Sequence, residues 1–353
     1  MRCLSAPIEV SVEVTNKCNL LCTHCYSSSG PFHYDNELTY DEITNLVDQL
    51  SAMKVFRLQL VGGEPFLRPD SINIVRYAKS KGLGVTCSTN GSFLDDTNLA
   101  LLKRYGLDNM QISIDGGEPE THDRIRARKG SFNKAVDAAR RAKKIGLSVT
   151  IGTTLMRYNW REVPKVVDLA LSLEADSLHI MCVQPGGRGG IDFENKSIND
   201  EEWIEIIEYF REKRGELEPK IPITIQGSRF AFINKGMVNA SDLPRRDPLD
   251  EIYTNCDCGK ARCVVDSRGN VFPCDMLRLS DMNIRSTPFE KIWAESAALN
   301  AVRDRDVHEI PDCQGCEYID HCKGGCPAST YNIFGSFGAA DPRCAIAKRP
   351  ERL

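Results

Sequence analysis

The chain has 353 residues, 41% of them hydrophobic, more core than one average domain requires, which predicts a large domain followed by a smaller one. A formal charge of -4, a pI near 6.0 and no basic block exclude electrostatic attraction to nucleic acid or to an anionic membrane. No apolar run approaches bilayer length, and the N-terminus lacks a charged segment followed by an apolar one, so the expected compartment is the cytoplasm. Fifteen cysteines in that reducing setting point to metal or catalysis rather than to disulfides.

Residues 1–10 read as a tail. From 11 to 215, short β-branched runs (VSVEVT, FRLQLVG, GVTCST, NMQISID, SVTIGTT, SLHIMCV) alternate with amphipathic stretches of helical period such as 40–53 and 132–145, the latter ending at Gly146. Six such units predict an α/β fold, a partial (β/α)6 TIM-type barrel with its chemistry at the C-terminal strand ends. PGGRGG at 185–190 marks a flexible exit from the last strand, and 203–215 reads as a further helix. Residues 216–252 read as a bridge. Residues 253–353, with a hairpin expected at 266–270 and closely spaced cysteines, read as a small domain organised by metal.

Cys18, Cys22 and Cys25 form CxxxCxxC in the loop after the first strand, so three thiolates from one short segment can meet one cofactor. A structural zinc site wants four ligands, and no fourth cysteine or obvious histidine lies at pair spacing, although His24 is adjacent. A cubane held by three cysteines leaves one iron open to a small chelating molecule. The alternative is a zinc or redox thiol loop.

This spacing, with His24 before the last cysteine, resembles the signature of the radical S-adenosylmethionine (SAM) superfamily. The resemblance implies that the open iron binds the amino and carboxylate groups of SAM and that an electron from the cluster splits it to a 5'-deoxyadenosyl radical. It also implies roles for later segments. Gly62, Gly63, Glu64 and Pro65 end the second strand as GGEP and would cradle the methionine amino group. Ser88 and Asn90 (STNG) and Ser113 and Asp115 (SIDG) would hold ribose and carboxylate. Arg126 would pair with the SAM carboxylate through its forked guanidinium, and Val183 would face adenine. The bland readings are a solvated arginine at 126 and ordinary strand ends elsewhere.

Downstream, Cys256, Gly269-x4-Cys274, Cys313-x2-Cys316-x5-Cys322-x3-Cys326 and Cys344 resemble the SPASM pattern of auxiliary-cluster domains. The resemblance implies two interleaved clusters, the distal one on Cys313, Cys316, Cys322 and Cys344, the proximal one on Cys256, Cys274 and Cys326. Cys258 and Cys263 both stand close to the proximal set, and the CDCGKARC run favours Cys263 as its fourth ligand. With the N-terminal site this makes three 4Fe-4S clusters, against the alternative of paired zinc ribbons. Cys3, Cys87 and Cys182 read as small buried hydrophobes. Asp275, directly after Cys274, occupies the position of a catalytic general base in anaerobic sulfatase maturases, against the reading of a surface aspartate in a turn.

Over nearly its whole length the chain is similar to peptide maturases of the mycofactocin type (LVGGEPFLRPD, CVQPGGRGG, CKGGCPA), which decarboxylate and crosslink a ribosomal peptide. It is also similar to radical SAM enzymes of haem and haem d1 biosynthesis (HCYSSSG, ELTYDE), which act on tetrapyrrole propionates. The expected function is therefore an oxidative peptide maturase, with propionate decarboxylation as the alternative and a non-enzymatic electron carrier as a third reading opposed by GGEP, STNG and SIDG. Expected partners are a flavodoxin- or ferredoxin-type reductant and, for a peptide substrate, a separate small peptide-binding protein.

Overall fold

Aliphatic residues at every second position turn the short runs into strands whose two faces differ. In the computed structural model, which describes residues 3–226 and 256–347, six strands alternate with helices. They are β1 (Glu9–Glu13), α1 (Tyr40–Ala52), β2 (Arg57–Val61), α2 (Ser71–Ser80), β3 (Gly84–Thr89), α3 (Asp96–Arg104), β4 (Asn109–Ser113), α4 (Pro119–Arg126), α5 (Ser131–Lys144), β5 (Val149–Leu155), α6 (Val163–Ser172) and β6 (Ser177–Cys182). Val10, Leu58, Val85, Met110, Val149 and Leu178 point to the helices and are fully buried. Each such side chain contributes about 1.5–3 kcal/mol. The opposite face carries Gln59, Ser88, Gln111, Gly152 and His179, which line an internal cavity. The barrel interior is polar because of this alternation.

Local signals set the helix ends. Thr39 caps α1 by accepting from the Glu42 N–H at 3.2 Å while Glu42 Oε2 accepts from the Thr39 N–H at 2.8 Å. Gly146, with φ +75°, takes the left-handed turn that ends α5.

After β6 come two single-turn helices, α7 (Gly187–Gly190) and α8 (Phe193–Lys196), and the long α9 (Asp200–Leu217). Two further parallel strands extend the six. β7 (Ile223–Gln226), within the expected bridge, pairs with β6, and β8 (Arg262–Val265), within the cysteine-rich region, pairs with β1 through Val10 and Cys263. β8 then folds back on β9 (Val271–Phe272) as the expected hairpin, its turn tied by the Asp266 carboxylate to the N–H groups of Arg268 and Asn270. The sheet order is β7-β6-β5-β4-β3-β2-β1-β8-β9, an open sheet whose ends do not pair among the described residues. Most of the bridge, 227–252, lies outside the described residues.

The remaining C-terminal chain is short helices and turns docked on the barrel. Arg285 pairs with Glu42 of α1 at 2.6 Å and Trp293 Nε1 donates to the Leu4 carbonyl at 2.9 Å. Among the described residues no helix is long and apolar enough to cross a membrane.

Candidate active site

The loop after β1 carries the three thiols into the cavity. Cys18 and Cys22 are nearly buried around Leu20, and Cys25 packs against them. Cys18 Sγ accepts from the Leu20 N–H at 3.4 Å and from Asn90 Nδ2 at 3.8 Å, Cys22 Sγ from Arg126 Nη1 at 3.7 Å, and Cys25 Sγ lies 3.4 Å from Ser27 Oγ. Burial pushes the Cys18 thiol up to about 12. Metal binding there must displace a proton.

Gly62 and Gly63 are small because the loop lies directly against them. A Cβ on Gly62 (φ +144°) would strike the Thr15 carbonyl and one on Gly63 the Lys17 carbonyl. The close approach lets the Gly63 and Glu64 N–H groups each donate to that loop at 2.8 Å. The end of β2 and the cysteine loop are thus one rigid unit.

Of the residues expected to hold SAM, Gly62, Gly63, Ser88, Asn90, Ser113 and Arg126 line the same cavity as the three thiols, a space of about 500 Å³. Four others are not on its wall. The Glu64 carboxylate is turned into the end of β3, accepting from Thr89 Oγ1 at 2.7 Å and the Asn90 N–H at 2.8 Å, and burial pushes it up to about 7. Pro65 is buried in the turn that follows. Asp115 stands behind Arg126, 2.7 Å from its Nε and 3.6 Å from His24 Nε2, while its Oδ1 accepts from the Thr154 N–H at 2.9 Å. Burial would raise the Asp115 carboxyl, but Arg126 first and His24 second hold it below the usual carboxylate range. Asp115 therefore orients the guanidinium that faces the cavity. Val183 is packed among Ile125 and Met156.

The C-terminal thiols fall into two groups. Cys313, Cys316, Cys322 and Cys344 line one small pocket with Tyr318 and Asp312. The Cys258 thiol stands between those of Cys256 and Cys274, which together with burial push it well upward, and Cys326 feels the charges of the same two sulfurs. Among the described residues no three His, Cys, Asp or Glu side chains close on a single ion-sized point.

Cys263, expected as the fourth proximal ligand, sits in β8 opposite Val10, has no accessible surface and belongs to the main apolar core. Strand alternation points it away from the thiols of Cys256, Cys258 and Cys274, which lie together.

Asp275 lies on the cavity wall, its Oδ2 3.0 Å from Arg262 Nη2. Arg188 and His179 also line the cavity and were not singled out from sequence, and Cys182, read there as a small buried hydrophobe, lines it too. Cys182 is buried as expected, yet its sulfur accepts from Gln184 Nε2 at 3.0 Å and Arg343 Nη1 at 3.4 Å. Arg343 pairs in turn with Asp341 at 2.8 Å, whose Oδ2 also accepts from the Cys326 N–H at 2.8 Å. A Cβ on Gly325 would strike Asp341, which accounts for the double glycine of CKGGCPA.

Comparison with known proteins agrees with this arrangement. The family profile described as the radical SAM superfamily matches residues 12–170, and the profile described as the SPASM iron-sulfur cluster-binding domain matches 256–317. The AdoMet-dependent heme synthase of Methanosarcina barkeri is 31% identical over 342 residues, covering 96% of this chain and 97% of that protein. The mycofactocin maturase MftC of Mycolicibacterium smegmatis is 29% identical over 97% of this chain and 84% of its own. The crystal structure of Streptococcus suis SuiB bound to its precursor peptide SuiA superposes with a TM-score of 0.81 over 98% of this chain and 77% of that one, at 16% identity, a likeness of fold.

Proposed function

Because the chain belongs to the radical SAM superfamily and carries a SPASM iron-sulfur domain, we propose that this enzyme oxidatively decarboxylates a substrate bearing carboxylate groups. The observation that carries this reading is the cavity wall. Besides the thiols it presents four guanidinium groups, Arg57, Arg126, Arg188 and Arg262, against the carboxylates of Glu9 and Asp275 on the wall and of Asp115 behind Arg126, an excess of one positive charge. That balance suits an anionic substrate.

The residues present fit the implied cofactors. Three thiols from one loop, with glycine backbone and Arg126 on the adjoining wall, suit a 4Fe-4S cluster whose fourth iron takes the amino-acid end of SAM. When bound, cluster and SAM together supply a hydrogen-abstracting carbon radical. Arg126, held by Asp115, neutralises a carboxylate at that position. Asn90 and Arg126 donate toward the ligand sulfurs, which stabilises added negative charge on them. Cys256, Cys258, Cys274 and Cys326 would hold a proximal auxiliary cluster beside Asp275, and Cys313, Cys316, Cys322 and Cys344 a distal one, making three. The balance would be a hydrogen atom moved from a substrate carbon to the SAM-derived radical, the carboxylate released as carbon dioxide, and one electron left over, which the site around Cys256, Cys258, Cys274 and Cys326 would be placed to accept with its metal bound.

The substrate we place first is an iron tetrapyrrole with propionate side chains, on the strength of the 31% identity to a heme synthase across nearly the whole chain. The second reading is maturation of a ribosomal peptide delivered by a small binding protein, favoured by the 29% identity to the mycofactocin maturase. A flavodoxin or ferredoxin type of donor would supply the priming electron in a cytoplasmic setting. The test is anaerobic turnover of the reduced enzyme with an iron tetrapyrrole or with a Val-Tyr-ending peptide and its binding protein, followed by substrate mass and 5'-deoxyadenosine. Loss of carbon dioxide from the tetrapyrrole is the expected result. Loss from the peptide moves the enzyme to the second reading, and absence of SAM cleavage removes both.

A further inference from the structure

The turn after β6 is laid directly on the cysteine loop. The Arg188 backbone N–H donates to the Cys25 carbonyl at 2.9 Å, its Nε to the Cys22 carbonyl at 2.8 Å and its Nη2 to the Ser29 carbonyl at 2.7 Å. Eight residues on, Lys196 Nζ donates to the Thr23 carbonyl at 3.0 Å and to the Arg188 carbonyl at 2.8 Å. Four loop carbonyls, those of Cys22, Thr23, Cys25 and Ser29, are therefore held by two cationic residues from one segment.

The glycines of PGGRGG permit this approach. A Cβ on Gly187, whose φ is +50°, would run into the Cys25 and Tyr26 carbonyls, and one on Gly189 into those of Gln184 and His24. The same segment reaches the C-terminal region, where Gln184 Oε1 accepts from Ser329 Oγ at 2.8 Å, three residues past Cys326.

We propose that Arg188 is a positioning residue for the catalytic cluster. Its planar fork fixes two carbonyls that flank the second and third cysteines, and so sets how those sulfurs present the open iron to the cavity. Its charge also stands beside a cluster that gains negative charge on reduction, which favours the reduced form. A lysine supplies the charge but not the fork. The inference rests on Cys18, Cys22 and Cys25 being the ligands.

The experiment uses the full-length enzyme reconstituted anaerobically, as wild type, Arg188→Lys, Arg188→Ala and Gly187→Ala. The readouts are iron content, electron paramagnetic resonance of the reduced protein with and without SAM, and SAM cleavage. A cluster with an open iron changes its spectrum when SAM binds, so that change reports the N-terminal site, while the SAM-insensitive signal reports the C-terminal ones. The expected result for Arg188→Lys and Gly187→Ala is retained iron, a weakened SAM-induced change and cleavage slowed by roughly 10–100-fold, the range seen for outer-shell partners of metal ligands. Wild-type spectra and cleavage in both variants would overturn the proposal. If Arg188→Ala loses every cluster, the lysine variant decides. A wild-type enzyme with no SAM-induced change would instead overturn the ligand set.

Discussion

The two cysteine-rich regions are held by different forces. The N-terminal loop hangs on β1, whose Val10 and Val12 are fully buried, and is laced to the barrel by backbone bonds from Glu64 N–H to the Lys17 carbonyl at 2.8 Å and from Thr23 N–H to the Ile125 carbonyl at 2.9 Å. Past β9, among the described residues, Phe289, Ile292, Trp293 and Leu299 join the main core, and the chain around the thiols has small apolar clusters of its own, Leu277 with Val302 and Ala328, and Ile310 with Cys313 and Ala340. There the carbonyls of turns are satisfied by arginine: Arg305 donates to those of Lys323, Gly324, Phe337 and Ala339 at 3.1–3.2 Å. A barrel with a full core can place its thiols before metal arrives, whereas the smaller apolar clusters of the second region lead to the expectation that bound metal contributes to its stability.

The largest effect that bears on this contrast is loss of the first cluster. Cys18→Ala combined with Cys22→Ala and Cys25→Ala should abolish SAM cleavage while the barrel keeps its fold and the C-terminal clusters remain, read by 5'-deoxyadenosine release and iron content. Residual cleavage would remove the ligand assignment. Stripping iron from the wild type should go the other way. Hydrogen exchange should rise across Cys313 to Cys344 and stay slow in β1 to β6, and a uniform rise would show that the barrel leans on metal as heavily as the C-terminal region does.

Next in size is a pair of cysteines five residues apart. Cys258→Ser should cost the proximal cluster and product formation yet spare uncoupled SAM cleavage. Cys263→Ala removes one buried sulfur from the core, and about 1 kcal/mol of stability with all iron retained is expected, read by denaturation and iron analysis. If the two variants exchange phenotypes, the β8 register places the wrong sulfur among the thiols.

These cysteines also mark where sequence ran out. The six strands, the hairpin at 266–270 and the N-terminal trio follow from periodicity and spacing, which are properties of the chain itself, whereas the grouping of Cys313, Cys316, Cys322 and Cys344 came from the SPASM resemblance. β7 was hidden because ITIQ is four residues long and only half-buried. Sequence did not separate Cys258 from Cys263 because cysteine serves equally as ligand and as small core residue; the signal that sets Cys263 apart was the RCVV run, whose β-branched neighbours mark a strand. For Glu64 and Asp115 the motif gave the residue but not the direction of its side chain, which depends on donors 25 and 39 positions away, Thr89 and Thr154. PGGRGG was read as flexible because its glycines are equally a mark of close approach.

Glu64 offers a graded test of how finished the barrel end is. Burial pushes its carboxyl up to about 7, against 4.5 for an exposed glutamate. A raised acid favours folding while protonated, so its contribution is complete below about 4.5 and lost as pH rises through about 7. Two and a half units correspond to about 3 kcal/mol. Denaturation of the metal-free barrel between those pH values should therefore show stability falling with pH in the wild type and a flatter profile in Glu64→Gln. Equal slopes would mean that Glu64 ionises freely and that the end of β3 is looser than its hydrogen bonds imply.

The smallest expected effect separates the two substrates. In a decarboxylation the hydrogen leaves as an atom, the electron goes to a cluster and the carboxylate leaves as carbon dioxide, so no base is required. Asp275 then serves to hold Arg262, 3.0 Å away, against the cavity wall. Asp275→Asn keeps the shape and one acceptor, and product formation per SAM cleaved should fall by less than about tenfold, within the range of a partly buried ion pair. A peptide crosslink made by substitution at a second C–H carbon differs, because that carbon's hydrogen would leave as a proton while the paired electron passes to an acceptor. A base there is worth roughly 10²–10⁴ in rate. A loss of that size in Asp275→Asn, with SAM cleavage intact, would make Asp275 the base expected from its place after Cys274 and would carry the peptide reading ahead of the tetrapyrrole one.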